Sequence, residues 1–294
     1  MKKLIKLARK IKRFLKMMGC PRWLHRFGPK KFEFFNHAFA LLMKEILRCS
    51  FRRCCEILKM FDVITPTYSA LCKCRKRIPV WIWNSLLKLT AGFNHNSVAV
   101  DSTGFSRTNP SFYFVKRIDS ENPVKRYAKL SALFDLPTRK FTALKIRIKP
   151  RHDVVDINYL LNQSSPTEKL FGDSAYDAEF IHEICFDKQI QTIIKPRKNV
   201  KRGFYRRKQM KNYSEKEYPQ RSLIEAGFSS LKRKYGGSVS GKSWRSVNCE
   251  IYCKAICHNL NLRQIEIFNR TRNIETFLKY NFQGIKWKNV KVIY

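Results

Sequence analysis

The chain has 294 residues, 44% of them hydrophobic and 13% aromatic, which is enough to bury a sizeable core and excludes a disordered tail protein. Sixty Lys and Arg against 22 Asp and Glu give a formal charge of +38, a self-repulsion that suits a protein working against a polyanion, with nucleic acid the first candidate and an anionic membrane surface the second. A membrane-surface protein concentrates its basic residues on a few amphipathic segments, whereas these run from Lys2 to Lys291 and favour a long nucleic-acid track.

Met1 to Met18 interleaves Lys and Arg with Leu4, Ile5, Leu7, Ile11, Phe14, Leu15 and Met18 at helical spacing. Without a continuous apolar core or a small-residue cleavage site it reads as a basic amphipathic helix, docked on the body or lying along phosphate, and not as a signal peptide. No other segment reaches the roughly 18 uninterrupted apolar residues of a membrane span, so a cytosolic protein is expected. A helix is predicted from Lys30 to about residue 48, with Phe35, Ala38, Phe39, Leu42, Ile46 and Leu47 facing a core. Ser50 caps a second helix, Phe51 to Phe61, and Pro66 suits the first turn of a third that Thr65 caps and that runs to about Arg77. Two short helices in this order fit a helix-turn-helix, with Thr67, Tyr68, Lys73, Arg75 and Lys76 towards DNA; the same pattern also fits a plain helical hairpin with a solvated basic end. Trp81 to Leu89 is a further helix, leading into the next domain.

The pattern then changes to short β-branched runs. Residues 97–101 form a strand ending in Asp101 and a Gly turn; 129–136 and 141–148 form an antiparallel pair joined by Asp135, Pro137 and Thr138. Val154 to Asn162 is helical, 168–172 is a strand ending in Asp173, and a helix follows from Asp177, which caps it, to about Lys188. Residues 191–195 are another strand. Lys195 to Lys216 is a basic loop or arm, with Phe204, Tyr205 and Tyr213 available to stack on bases. Residues 218–232 read as a helix: with Arg221 at zero, Glu225 falls near roughly 40° and Lys232 near roughly 20°, beside a core stripe of Leu223, Ile224, Gly227 and Leu231. Taken alone, that Arg/Glu/Lys stripe also reads as a surface ion-pair stripe. After a break at Gly236 and Gly237, residues 247–263 form a helix striped with Cys249, Tyr252, Cys253, Ile256, Cys257 and Leu260, the pattern of a buried face. The ten cysteines therefore read as reduced core residues, with structural zinc as the alternative. Residues 269–294 are basic and aromatic and carry no recognisable motif.

Two carboxylates at strand ends stand out in so basic a chain. If the strands bearing Asp101 and Asp173 are neighbours, the two acids converge at the carboxyl edge of the sheet. With Glu225 they make three oxygen ligands able to hold two Mg²⁺ ions about 3.5 to 4 Å apart, with Mn²⁺ a possible substitute. Asp135 and Asp177 are weaker candidates for the same role.

Tyr218, Arg221, Glu225 and Lys232 reproduce a Tyr-x2-Arg-x3-Glu-x6-Lys signature. In this the chain resembles the DDE transposases of prokaryotic insertion sequences, the grouping around insertion-sequence families four and five. Asp101 in Val-Asp-Ser-Thr-Gly and Asp173 in Gly-Asp-Ser-Ala-Tyr-Asp resemble the first and second catalytic aspartates of that family, and the likeness covers about residues 50 to 265. The resemblance implies an α/β fold, an RNase H-like mixed five-stranded sheet flanked by helices, with Asp101, Asp173 and Glu225 as catalytic metal ligands. It implies phosphate contacts for Arg221 and Lys232 and base stacking for Tyr218. It also implies double-stranded DNA partners, namely terminal inverted repeats and target DNA, and a homodimer on DNA. The 52 residues from Asp173 to Glu225 leave no room for a large all-β insertion, so a compact member is implied. The expected organisation is a helical DNA-binding domain at 1–90, a catalytic domain at 91–268 and a basic tail at 269–294. The alternatives are a non-catalytic, domesticated DNA-binding protein, which intact acids argue against, and an RNase H-like nuclease without strand transfer.

Overall fold

The computed structural model describes residues 2–260, apart from 24–26, 28–29, 94, 108–116, 118–126, 150, 165, 167 and 199–201. The expected tail at 269–294 and the end of the Cys-striped helix beyond residue 260 lie outside the described residues.

Among the described residues, five helices come first. Helix α1 (Lys2–Met17) buries Leu7, Ala8, Ile11, Phe14 and Leu15, so the basic amphipathic opening docks on the body through its apolar stripe. Helix α2 (Phe34–Leu47) starts about four residues later than the apolar pattern suggested. Glu33 closes a capping box there, its side chain accepting from the Asn36 backbone while the Asn36 side chain accepts from Glu33 N–H at 2.9 Å. Helix α3 (Phe51–Met60) begins at Ser50, whose hydroxyl accepts from Arg53 N–H at 3.2 Å. Helix α4 (Tyr68–Arg77) corrects the expected start: Thr67, not Thr65, is the cap, and its hydroxyl accepts from Ala70 N–H at 3.3 Å. Thr65 instead donates to Val63 O, leaving Pro66 ahead of the helix and outside its first turn. Helix α5 (Val80–Ala91) completes the set.

A mixed sheet follows: β1 (Ser97–Arg107), β2 (Tyr127–Asp135), β3 (Lys140–Arg147), β4 (Lys169–Gly172), β5 (Gln191–Ile194) and β6 (Ser238–Val239). The order is β3-β2-β1-β4-β5, with β6 also on β1. The first three strands are antiparallel and β4, β5 and β6 run parallel to their neighbours, which is the RNase H-like arrangement with a sixth short strand added. Strand β1 does not stop at a Gly turn after Asp101. Gly104 stays in the ladder opposite Lys129, because β2 offers partners along almost the whole of β1.

Alternation along β1 divides the core. Val98 and Val100 face a cluster formed with α6 (Ile157–Gln163) and α7 (Glu179–Asp187); Ala99 and Phe105 face a larger one shared with α1–α5, α9 (Ser222–Tyr235) and α10 (Trp244–Asn259). Helix α10 is buried almost all round, and Cys249, Cys253 and Cys257 on it are core residues. Among the described residues no group of three His, Cys, Asp or Glu side chains forms a ready metal site, which removes the expectation's zinc alternative there. No described helix is long and apolar enough to cross a membrane.

Two further expectations change. Helix α7 is not capped by Asp177, which is buried and bonded to Arg206, to Arg197 N–H and to His182. Part of the expected basic arm is helix α8 (Phe204–Met210), laid along the edge of β5: Gln209 accepts from Thr192 N–H and donates to Ile190 O. Arg206 on it is buried against Asp177 and faces no solvent phosphate.

Helix α9 crosses the sheet at Gly227. A Cβ there would lie 2.7 Å from the Phe134 ring, and Phe134 cannot retreat because Phe141 packs against it edge to face at 5.0 Å. Overpacking of this kind costs about 1–3 kcal/mol, more than the roughly 1 kcal/mol of helix propensity that alanine adds. Gly227→Ala is therefore expected to destabilise the fold by about 1 kcal/mol in urea unfolding, and a Phe134→Leu background to relieve most of that loss.

Candidate active site

The register of β1 and β4 brings the first two acids together. Val98 pairs with Leu170 and Ala99 with Phe171; carried two residues on, the same register sets Asp101 beside Asp173. The strands part there, Asp101 continuing along β1 while Asp173 turns into a 3-10 turn, Ser174–Tyr176, its carboxylate accepting from Ala175 N–H at 2.9 Å. Ala99 and Phe171 belong to the cluster that holds Ile224, Phe228 and Leu231 of α9. By the two-residue alternation of a strand, Asp101, Thr103 and Asp173 present to that same face.

The third acid comes from α9. Residues Tyr218–Arg221 form a 3-10 turn and the α-helix begins at Ser222, yet the four-residue pairing survives the change of pitch. The Arg221 guanidinium donates to Glu225 Oε1 at 2.5 Å and lies 3.7 Å from Asp101 Oδ2. Lys232 reaches the floor of the site, donating to Thr103 Oγ1 at 2.7 Å with its ammonium 5.5 Å from the centre of the Phe105 ring. The stripe thus faces the sheet's acids and is not an isolated surface pair.

Burial pushes the Asp101 carboxyl up to about 6, and the charges of Asp173 and Glu225 push the same way, against the Ser102 N–H at 2.7 Å and Arg221. Burial also lowers the Lys232 pKa. The donor set, three carboxylates, is of the hard-oxygen kind that suits a divalent cation, though the three are not drawn together here into a ready metal site. Arg221 spans two of the three.

The remaining sequence candidates lie elsewhere. Tyr218 is half-buried, its ring 6.1 Å from that of Tyr213. Thr67, Lys73 and Lys76 are exposed on or just before α4, Thr67 being engaged as the cap; Arg75 is partly buried, its guanidinium 5.0 Å from the Phe51 ring. These four form a group separate from the acids. Asp135 closes the β2–β3 turn, accepting from Thr138 N–H at 3.0 Å, and Asp177 is sequestered by Arg206, so neither joins the cluster.

Some supporting residues escaped the sequence reading. Thr103 was legible, since it lies two residues after Asp101 on a strand and so on the same face. Arg197, whose guanidinium donates to Ser174 O and Ala175 O at 2.7 Å and braces the turn after Asp173, had no sequence signal among so many basic residues.

A sheet of this topology with acids converging where β1 and β4 diverge defines the class: an RNase H-like enzyme of phosphodiester chemistry. Residues 93–260, more than half of the chain, match the family model described as the transposase DDE domain. The chain belongs to that family, whose members cleave and transesterify phosphodiesters with a divalent metal. No curated protein matches it. Among solved structures it is similar to a piggyBac transposase synaptic complex with hairpin DNA, with 11% identity, TM-score 0.46 and coverage of 98% of this chain and 84% of that one. A Mos1 strand transfer complex follows at 13% identity and TM-score 0.30, covering 86% and 82%. Likenesses this distant add nothing to the assignment.

The raised Asp101 pKa has a stability consequence. A carboxyl whose folded value lies above its ordinary 3.8 favours the folded state when protonated, so its ionisation weakens the fold as pH rises from about 4 through about 6. Without added metal, Asp101→Asn is expected to be more stable than wild type above pH 6, by on the order of 1–3 kcal/mol, and to lose that advantage towards pH 4. Thermal melts across that range measure it; equal pH profiles for both proteins would count against a raised pKa.

Proposed function

We propose that the chain is the transposase of a prokaryotic insertion sequence, of the group bearing the Tyr-Arg-Glu-Lys signature within the grouping of families four and five. It binds the element's terminal inverted repeats, cuts at them and joins the freed ends to target DNA. What supports this reading is the Ala99–Phe171 register, which runs on towards Asp101 and Asp173, together with the Arg221 guanidinium standing 3.7 Å from Asp101 and 2.5 Å from Glu225.

In this reading the three carboxylates hold two Mg²⁺ ions, or Mn²⁺ in their place. Such ions would supply Lewis-acid activation of the attacking water or 3′-hydroxyl and charge for the leaving oxygen. Arg221 and Lys232 bring positive charge to the scissile phosphate, Arg221 through a planar fork suited to two phosphate oxygens. Thr103 holds the Lys232 ammonium at 2.7 Å, which aims it along the sheet face. Tyr218 stacks on a base at the element end. Residues 1–90 bind the repeat through α3 and α4, with Lys73 and Lys76 on phosphate, Arg75 braced on Phe51, and Thr67 at the helix start. Residues 91–268 form the catalytic unit and 269–294 a basic tail. Two element ends must be brought together, so the working form is a homodimer on double-stranded DNA in a prokaryotic nucleoid.

A labelled duplex carrying the inverted repeat that flanks the reading frame tests this. Wild type is expected to cut it with Mg²⁺ or Mn²⁺. Asp101→Asn, Asp173→Asn and Glu225→Gln are each expected to lower cutting by at least about a hundredfold while DNA affinity stays within a few-fold. Binding without cutting in either metal would make the chain a non-catalytic DNA-binding protein; cutting without joining would make it a nuclease. DNA affinity is expected to fall steeply with salt, and Arg221→Ala and Lys232→Ala each to flatten that slope by about one phosphate contact.

A further inference from the structure

Helix α10 carries two charges that the acid cluster does not use. Glu250 and Lys254 lie one turn apart and are 6% and 2% exposed. The Lys254 ammonium donates to Tyr235 O, to Gly236 O at 3.1 Å and to Ser238 O at 3.1 Å, so all three of its N–H groups serve one short stretch of backbone. The Glu250 carboxylate accepts from Ser240 N–H at 3.1 Å, from the Ser240 hydroxyl at 3.2 Å and from Gly241 N–H at 3.2 Å. Lys254 thus takes the carbonyls of residues 235, 236 and 238, and Glu250 the N–H groups of 240 and 241.

That stretch joins the two halves of the acid cluster. It leaves the C-terminus of α9, which carries Glu225 and Lys232, and becomes β6, which lies on β1 beyond Asp101; Ser106 N–H donates to Gly237 O at 3.1 Å. An ammonium on the last carbonyls also meets the negative end of the helix dipole. Behind it, Glu45 of α2 lies 3.5 Å from Lys254, and Lys44 lies 2.8 Å from Glu45 and 3.4 Å from Glu250. Burial pulls the Lys254 pKa down and Glu45 and Glu250 oppose it. Buried ion pairs are weak sources of stability, because desolvation offsets most of the attraction. Two such charges committed to one backbone segment, with Lys44 and Glu45 paired behind them, are better accounted for by geometry than by stability.

We propose that Lys254 and Glu250 are positioning residues of the active site, clamping residues 235–241 so that α9 is held at one axial position against β1. Through that clamp they set the separation of Glu225 and Lys232 from Asp101 and Asp173. The proposal rests on the reading of those acids as metal ligands.

The test compares the full-length wild type with Lys254→Met and with Glu45→Gln/Lys254→Met, which removes a whole ion pair in case the single variant does not fold. Amide hydrogen exchange over 235–241 is expected to speed up by about tenfold or more in either folded variant. Mn²⁺ affinity, measured by calorimetry without DNA, is expected to fall by about tenfold or more, as when outer-shell partners of metal ligands are lost. Cooperative melting and duplex-DNA affinity are expected to persist. A folded variant with wild-type exchange, or with wild-type Mn²⁺ affinity, overturns the proposal; so does loss of folding in both variants, which would make the charges a requirement of the fold. If wild type shows no Mn²⁺ binding that Asp101→Asn abolishes, the metal-ligand reading fails, and the exchange measurement alone decides whether Lys254 clamps the segment.

Discussion

The three-residue parallel pairing of β1 with β4 is the constraint on which the site depends. It aligns Ala99 with Phe171 and then ends, leaving Asp101 and Asp173 side by side at the point where the strands part. Had the pairing continued, the carboxylates would lie over ladder hydrogen bonds with no room for a ligand between strands. Had the register slipped by one residue, one of the two acids would face α6 and α7 instead of α9. The long β1–β2 ladder makes such a slip costly, since Ala99, Phe105, Leu130 and Ala132 would leave the larger core with it.

Around that pairing the molecule is built inward from α10. This helix packs on α2, α4 and α5 on one side and on β3 on the other, and Tyr252 donates from it to Leu144 O at 3.0 Å. Asn259 at its end accepts from Phe141 N–H and donates to Phe141 O, both at 2.8 Å, and so continues the edge of β3. The N-terminal helices and the sheet therefore share one apolar cluster through α10. A force on α3 and α4 has a packed path to the sheet, through Cys74 and Leu71 into the same core.

The strands and most helices were legible because their signals are local. Runs such as Ser97-Val-Ala-Val and Leu170-Phe-Gly alternate or terminate as strands do, and Ser50 is a cap written in one residue, whereas Ser243 starts α10 three residues ahead of its expected beginning. What the sequence hid was set by distant partners. Glu33 caps α2 only because Asn36 answers it, and Lys12 and Arg22 each pair with one of its two oxygens. Asp177 looks like a cap until Arg206, far along the chain, and the nearer His182 bury it. Strand β6 is two residues long and exists because residues 235–241 are held by α10. The acids themselves were readable by type and spacing, whereas the register that unites Asp101 with Asp173 follows from the whole sheet.

The charge balance explains why so basic a chain tolerates an acid cluster at its centre. Most of the described basic residues are solvated, and at physiological salt their field on Asp101 is screened beyond about 8 Å; burial and the two neighbouring acids therefore prevail locally and raise its pKa. Arg221 answers only part of that imbalance, since its guanidinium is committed to Glu225 at 2.5 Å and stands 3.7 Å from Asp101. The outer surface attracts a polyanion while the inner site repels one. A divalent cation at the carboxylates would remove that conflict, because it would satisfy the acids and attract the phosphate with the same charge. Stability is spent at Asp101 to keep the carboxylate in place, a trade common at functional sites, and the buried charges on α10 fit the same economy of position over stability.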